Sequence, residues 1–188
     1  MRKVLKMLRK IRKILTVLRR KFILQEMYIN SSMYMKHYVK FLRGRGMQFE
    51  GVPNYISNDV HFDGKDYSII KIGNNVTISR EVLFLTHDYS MHTLLKGYDA
   101  EIFPLKNLEL IKTQDRKDKL LILSGISVGN NSFIGARATL LPGTTIGNNC
   151  LIGSCSVVKG KIPDNSIVIG NPAKIVAKSN EWMDEKIL

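Results

Sequence analysis

The sequence predicts an all-β solenoid, a coil of short parallel strands, and two periodic features of its second half support this prediction. A large aliphatic residue recurs at every sixth position, and from Val128 to Ile152 a small residue follows each aliphatic one four positions later. A fixed step of six fits neither a helix nor an alternating strand. It is typical of a stacked coil with three flat faces and about eighteen residues per turn. The aliphatic residues are Ile122, Val128, Ile134, Leu140, Ile146, Ile152 and Val158, and the small ones are Ser132, Ala138, Thr144, Cys150 and Ser156.

Each position of this six-residue unit has an expected role. The aliphatic residue is expected to fill the interior, and the small residue to point inward near a corner. Glycine or asparagine is expected at the tight corners, because both tolerate a positive φ. A run of parallel strands in an ordinary α/β domain is the competing interpretation, but the repeats leave no room for crossover helices. The corner candidates are Gly129, Asn130, Asn131, Gly135, Gly147, Asn148, Asn149 and Gly153.

The positive charge of the chain is concentrated at its N-terminus. Ten of the 29 Lys and Arg residues lie in residues 1–25, which contain no acidic residue. The remaining 19 basic residues face 16 Asp and Glu, so the formal net charge of +13 is mostly a property of this segment. The body of the protein therefore lacks the broad basic surface expected of a nucleic-acid-binding protein.

Residues 1–25 are predicted to form an amphipathic helix, because apolar residues alternate steps of four and three while most basic residues fall on the opposite face. Such a helix suits the surface of an anionic membrane. Two alternatives remain: the apolar stripe packs on its own domain, or three copies form a coiled coil. The apolar stretches are too short for a signal peptide or a membrane span. The stripe consists of Val4, Leu8, Ile11, Leu15, Leu18 and Phe22, widened by Met7 and Ile14.

The rest of the chain divides into a cap, a coil and a tail. Residues 26–45 are predicted to form a helix that covers the open end of the solenoid, as terminal coils require. Residues 46–178 form the solenoid, interrupted by a charged loop at 89–120, which is a usual place for function. Residues 179–188 are a short tail. The less regular first coils run through Ile56, Val60, Ile72, Ile78 and Phe84.

Residues 128–177 resemble the hexapeptide-repeat acyltransferases, and residues 72–90 are similar to the matching upstream part of their sugar O-acetyltransferase branch. That branch includes maltose, galactoside, nodulation-factor, capsule and exopolysaccharide acetyltransferases. The resemblance covers about residues 46–178, and its most specific part is the order THDYS, loop, repeat and GNPAK. It implies a left-handed parallel β-helix, a homotrimer, and acetyl-CoA bound in the groove between neighbouring subunits.

His87 is the expected catalytic base, because it matches the family's catalytic histidine and stands where a coil ends and the loop begins. Acetyl transfer from a thioester to a hydroxyl requires removal of the hydroxyl proton, which an imidazole performs near neutral pH. Direct attack in a ternary complex is expected. Cys155 is a poor alternative nucleophile, since nothing nearby in the sequence favours its thiolate.

The resemblance also implies binding residues. The acceptor candidates are His61, Asp63 and Asp66, although Asp63-Gly64 is equally well explained as a plain turn. For acetyl-CoA, backbone groups of Ala136 and Ser154 are expected to meet the pantetheine arm, and Phe133 stands where relatives often carry Trp. Asn171 shapes the turn near the phosphates. The basic candidates for the phosphate end are Lys159, Lys161, Lys174 and Lys178.

These features together predict an O-acetyltransferase that moves an acetyl group from acetyl-CoA to a sugar or glycan precursor, without a metal. It is expected in the cytoplasm, peripheral at the inner face of the membrane. Three alternatives remain. The first is N-acetylation of a nucleotide-linked amino sugar. The second is a carbonic-anhydrase-like zinc site built on His61, His87 and His92. The third is a non-catalytic membrane scaffold.

Overall fold

The computed structural model describes residues 2–64, 66–96 and 122–187. Three stacks of short parallel strands form its body, and each strand contributes two to four residues. The first sheet contains β1 (Gln48–Phe49), β4 (Ile70–Ile72), β9 (Ile126–Val128), β12 (Thr145–Ile146) and β15 (Lys161–Ile162). The second contains β2 (Tyr55–Ile56), β5 (Thr77–Ile78), β10 (Phe133–Ile134), β13 (Leu151–Ile152) and β16 (Ser166–Ile169). The third contains β3 (His61–Phe62), β6 (Leu83–Phe84), β11 (Thr139–Leu140) and β14 (Val157–Val158).

The chain visits the first, second and third sheets in turn and then returns to the first, one coil further along. Register follows the six-residue step: Ile134 pairs with Ile152, and Leu140 pairs with Val158. The aliphatic positions thus stack above one another in the interior, where Ile134, Leu140 and Ile152 have no exposed surface. This arrangement confirms the parallel strands and the inward aliphatic residues from Val128 onward. The prediction was wrong for Ile122, which is 43% exposed and pairs antiparallel with Asp88 outside the three sheets.

The small residues of the repeat are buried, as predicted, and they also bond neighbouring coils. The Ser132 hydroxyl donates to the Gly147 carbonyl at 3.0 Å and accepts from the Cys150 amide at 3.1 Å. The Thr144 hydroxyl lies 3.0 Å from the Val158 carbonyl, to which it donates. Burial raises the pKa of the Cys150 thiol, so this cysteine is inert core filler.

Asparagines form one corner of the coil. Asn75, Asn131, Asn149 and Asn165 have φ between 53° and 56°. Their side chains form a ladder, in which Nδ2 of each donates to Oδ1 of the next at 2.9 to 3.2 Å. The sequence expectation of asparagine at positive φ therefore holds at Asn131 and Asn149.

The glycines of the repeat serve a different purpose from the one expected. Gly129, Gly135, Gly147 and Gly153 do not have a positive φ. A Cβ on Gly129 would lie 2.5 Å from the Gly147 backbone, and a Cβ on Gly135 would lie 2.6 Å from the Ser154 nitrogen. These residues are glycine because successive coils approach too closely for a side chain.

Two helices precede the coil. Helix α1 spans Arg2–Glu26 and α2 spans Ser31–Arg43, with Asn30 as the N-cap of α2. Helix α2 covers the first coil and buries its own residues Tyr34, Tyr38 and Leu42 against it. The Tyr34 hydroxyl donates to the Ile56 carbonyl at 2.8 Å, which ties the helix to β2.

The other end of the coil is closed by a reversal of the chain. Strand β17 (Lys174–Lys178) pairs antiparallel with β16, and α4 (Ser179–Ile187) follows it. Beside the third sheet, β7 (His87–Asp88) pairs antiparallel with β8 (Ile122–Leu123), and α3 spans Ser90–Lys96. Most of the predicted loop at 89–120 lies outside the described residues. No helix in the described part of the chain is long and apolar enough to cross a membrane.

Candidate functional site

The strand that carries His87 leaves the coil at a fixed point. Strand β6 ends at Phe84, and Thr86, which follows it, is buried. The Thr86 carbonyl accepts a hydrogen bond from the Ser124 amide at 2.9 Å, and His87 pairs with Leu123 across β7 and β8. The chain that leaves the coil at His87 is therefore held against the chain that returns to it.

Asp63 lies directly beside His87. Nδ1 of His87 is 2.5 Å from Oδ2 of Asp63, and the two side chains are 22% and 20% exposed. Asp63 follows β3 in the preceding coil, where its amide donates to the Phe84 carbonyl at 3.0 Å. A carboxylate at Nδ1 favours the tautomer that carries its proton on Nδ1, which leaves Nε2 free to accept a proton. This is the arrangement that a general base requires.

Two further residues border the imidazole. The Tyr89 ring meets it edge-on, with the ring centroids 5.1 Å apart. A Cβ on Gly64 would lie 3.9 Å from Cε1 of His87, an ordinary contact distance, so Gly64 packs against the ring without crowding it. The ring is thus fixed by a hydrogen bond and by packing from the same coil and the preceding one.

The acceptor candidates from the sequence have different environments. Asp63 is engaged with His87, a role that sequence analysis did not assign to it. Asp66 is exposed and accepts from the Ser68 amide at 2.9 Å, and hydrogen bonds from Ser68 lower the pKa of its carboxyl group. His61 is exposed on β3. The structure therefore brings Asp63, but not Asp66, into a bond with His87.

The pantetheine candidates lie on a different corner. Ala136 and Ser154 stand one coil apart, and the Ala136 carbonyl accepts from the neighbouring Cys155 amide at 2.9 Å. Both residues precede strands of the third sheet, whereas His87 follows one. Because these strands are parallel, the two groups occupy opposite edges of the third sheet in one protomer. Phe133 is 43% exposed on the second sheet, in a groove shared with Leu151 and Trp182.

The phosphate candidates are distributed over three elements. Lys159 follows β14 on the same edge as His87, where it helps to lower the pKa of the Asp88 carboxyl group after the larger effect of the Ser90 amide. Lys161 lies on β15, and Lys174 and Lys178 are exposed on β17. Lys159 is therefore the candidate cation that the structure places nearest to the histidine site.

The turn at Asn171 lies over the third sheet. The Val157 amide donates to the Gly170 carbonyl at 3.0 Å, and the Ala173 amide donates to the Val157 carbonyl at the same distance. The Asn171–Pro172 peptide bond is cis. These bonds place Asn171 directly beyond β14, next to Val157.

The zinc alternative requires three clustered ligands. In residues 2–64, 66–96 and 122–187, no group of three or more His, Cys, Asp or Glu side chains could hold a metal ion. His61, His87 and His92 belong to these ranges and do not form such a group.

Comparison with known proteins identifies the family of this chain. The model of the bacterial transferase hexapeptide (six repeats) matches residues 125–160. Protein CapG of Staphylococcus aureus is 37% identical over 147 residues, which cover 78% of this chain and 74% of CapG. The chain therefore belongs to the hexapeptide-repeat acyltransferase family, a class of transferases.

Two further proteins extend the comparison. The putative lipopolysaccharide biosynthesis O-acetyl transferase WbbJ of Escherichia coli (strain K12) is 31% identical over 73% of this chain, and the match spans 63% of WbbJ. The crystal structure of a maltose O-acetyltransferase from Clostridium difficile 630 superposes with a TM-score of 0.52 at 22% identity. That superposition covers 87% of this chain and 88% of the other, and it supports the fold.

Proposed function

We propose that this protein is an O-acetyltransferase that transfers the acetyl group of acetyl-CoA to a hydroxyl of a sugar in a glycan precursor. The observation that carries the proposal is the hydrogen bond between Asp63, at the end of the first coil, and His87, at the end of the second. Family membership supports acyl transfer, and the names of WbbJ and of the maltose enzyme favour O-acetylation of a carbohydrate.

The chemistry follows from the free Nε2 of His87. As the acceptor oxygen attacks the thioester carbon, Nε2 takes the hydroxyl proton, and Asp63 stabilises the imidazolium through Nδ1. Collapse of the tetrahedral intermediate breaks the carbon–sulfur bond, and the imidazolium returns its proton to the CoA sulfur. The developing oxyanion requires a donor, for which backbone amides of a neighbouring coil are suited. The products are the acetyl ester and free CoA.

The complete site requires two copies of the chain. His87 and the pantetheine candidates Ala136 and Ser154 lie on opposite edges of the third sheet. One protomer can therefore supply the base while its neighbour supplies the pantetheine contacts, as in a closed trimer. We infer a homotrimer of left-handed β-helices with acetyl-CoA in the groove between subunits. Lys159, Lys161, Lys174 and Lys178 are the candidate cations for its phosphates.

We infer that the acceptor binds beside His87. His61 and Asp66 are the side chains that we assign to the acceptor, because they precede and follow the Asp63–Gly64 turn that borders the base. A membrane-proximal acceptor at the cytosolic face fits the basic N-terminal helix.

The test is CoA release from acetyl-CoA in His87→Gln, across mono- and oligosaccharides, amino sugars and lipid-linked sugars. Turnover is expected to fall by about 10²- to 10⁴-fold, the usual contribution of a general base. The affinity for acetyl-CoA should change little. His37→Gln is the control, because His37 lies on α2 and pairs with Glu26. A His87→Gln rate within a few-fold of the native rate would overturn the assignment of the base, and turnover on amino sugars alone would indicate N-acetylation.

A further inference from the structure

Helix α1 is attached to the body by one face near its C-terminal end. Ile23 is 4% exposed and belongs to the core that contains Tyr34 and Tyr38. Burial raises the pKa of the Tyr38 hydroxyl, and the Arg20 guanidinium lies close enough to lower it by a smaller amount. Leu24 packs against the same cluster. Because Ile23 is buried in this core, the C-terminal end of α1 is fixed against the body of the protein.

The apolar stripe of α1 points away from that attachment. At about 100° per residue, the stripe is centred roughly 160° from both Arg20 and Leu24. Its large side chains are 43% to 70% exposed. The alternative in which the stripe packs on its own domain is therefore wrong. The exposed stripe consists of Leu8, Ile11, Leu15, Leu18 and Phe22.

Basic residues flank the stripe on both sides. Arg12 and Arg19 follow one border, and Lys10 and Lys21 follow the other. The first acidic residue of the helix is Glu26, which pairs with His37 at 2.7 Å. The long stems of these basic side chains can cover the edges of the stripe while their charges reach outward to phosphate groups.

This charge pattern disfavours a coiled coil of three copies. Arg12, Arg19 and Lys21 would occupy the positions that flank its seam, where stable coils pair opposite charges. Arg12 and Arg19 would face the apolar Met7 and Ile14 there, and Glu26, the only acidic residue of the helix, already pairs with His37. Met7 and Ile14, 56% and 59% exposed, also widen the stripe beyond a narrow seam.

We propose that α1 docks the protein on the surface of a membrane that contains anionic phospholipids. The stripe lies at the boundary between headgroups and acyl chains, and the flanking Lys and Arg residues contact lipid phosphates. The Lys and Arg residues beside the stripe favour an anionic lipid surface over a second, equally basic copy of the helix. This proposal is independent of acetyl transfer, since it uses neither His87 nor acetyl-CoA. If the chain is a trimer, three such helices strengthen the attachment through avidity.

The test measures partitioning of the full chain onto phosphatidylcholine vesicles with and without phosphatidylglycerol. The stripe variant is Leu15→Gln with Leu18→Gln. The matched control is Leu5→Gln with Val17→Gln, which removes two apolar side chains that are 49% and 55% exposed but lie outside the stripe. Glutamine keeps a good helix propensity, so both variants should retain α1.

Binding is expected on phosphatidylglycerol vesicles and to weaken as salt rises. The stripe variant should lower the partition coefficient by about tenfold or more, because two leucines lose their apolar environment. The control should stay within about twofold, since its residues face the polar side of the helix. Replacing Arg12 and Arg19 with Gln should cost on the order of fivefold per charge.

Three results would overturn the proposal. The first is the absence of binding to phosphatidylglycerol vesicles. The second is an equal loss of binding in the stripe variant and its control. The third is a stripe variant that binds vesicles normally but forms a smaller oligomer in solution, as measured by its molecular mass. That result would assign the stripe to a coiled coil. Circular dichroism and thermal unfolding of each variant verify that the coil is folded.

Discussion

Asp63 and His87 come from successive coils, and Oδ2 of Asp63 meets Nδ1 of His87 at 2.5 Å. Their backbones are held by the same ladder, because the Asp63 amide donates to the Phe84 carbonyl and the Thr86 carbonyl accepts from the Ser124 amide. The distance between carboxylate and imidazole is therefore fixed by the stacking of the coils.

We expect Asp63→Asn to lower kcat by about 10²-fold or more, because an amide can donate to Nδ1 and stabilise the tautomer whose Nε2 already carries a proton. The KM for acetyl-CoA should change little, since Asp63 acts through His87. Steady-state kinetics with both substrates varied separates these two effects. Asp63→Glu should recover part of the rate, and Asp184→Asn, an exposed change on α4, is the matched control. A loss confined to acceptor KM would assign Asp63 to sugar binding instead.

Gly129→Ala should destabilise the protein by about 1–3 kcal/mol, the usual range for an overpacked core. The added methyl group would lie 2.5 Å from the Gly147 backbone, which cannot move aside as a flexible side chain can. Gly44→Ala is the control, because Gly44 has φ −65° and its Cβ would be 3.3 Å from the nearest atom. Denaturant unfolding of both variants gives the comparison. Equal stability of the two variants would contradict the close-approach explanation of the repeat glycines.

Cys155→Asn should stabilise the protein by on the order of 0.5–1 kcal/mol. Cys155 has φ 60°, a left-handed conformation that asparagine tolerates better than cysteine does. The same change at Cys150 should be destabilising, because Cys150 is 2% exposed and fills a small-residue position. Thermal unfolding distinguishes the pair. A lower melting temperature for Cys155→Asn would show that the thiol makes a favourable contact.

Stability should decline between about pH 10 and pH 12 through the two buried tyrosines. Burial raises the pKa of Tyr38 to about 12 and also raises that of Tyr34. An unfolded tyrosine loses its proton near pH 10, whereas the folded protein retains it. Ionisation therefore lowers the free energy of the unfolded state relative to the folded state as pH rises. Denaturant unfolding across this range measures the decline. Tyr38→Phe should make it shallower, and Tyr28→Phe, at a 74% exposed position, should leave the slope unchanged.

The repeated part of the fold could be predicted because each position of the repeat has one physical role. An aliphatic residue every six positions stacks directly on the one in the next coil, and Ile134 over Ile152 shows this. The small residues could be predicted for the same reason, since Ser132 and Cys150 repeat one environment a coil apart. The chain itself therefore encodes both register and burial in this region.

The site could be predicted only in part, because it lies where the period is broken. Thr77 pairs with Tyr55 and with Phe133, which are 22 and 56 residues away rather than 18. Counting along the sequence therefore does not place Asp63 beside His87. The role of the repeat glycines was missed for another reason. In a single sequence, a glycine required by close approach between coils looks the same as a glycine required by a turn.

The long interval between the second and third coils has a kinetic consequence. Ile72 pairs with Val128, and Ile78 pairs with Ile134, both across 56 residues, whereas Ile134 and Ile152 are 18 apart. Closing the longer interval costs about 1 kcal/mol more in chain entropy. Folding should therefore proceed as two nuclei, one beneath α2 and one in the regular coils. The transition state should then involve their docking, at the junction between the second and third coils, where β6 pairs with β11.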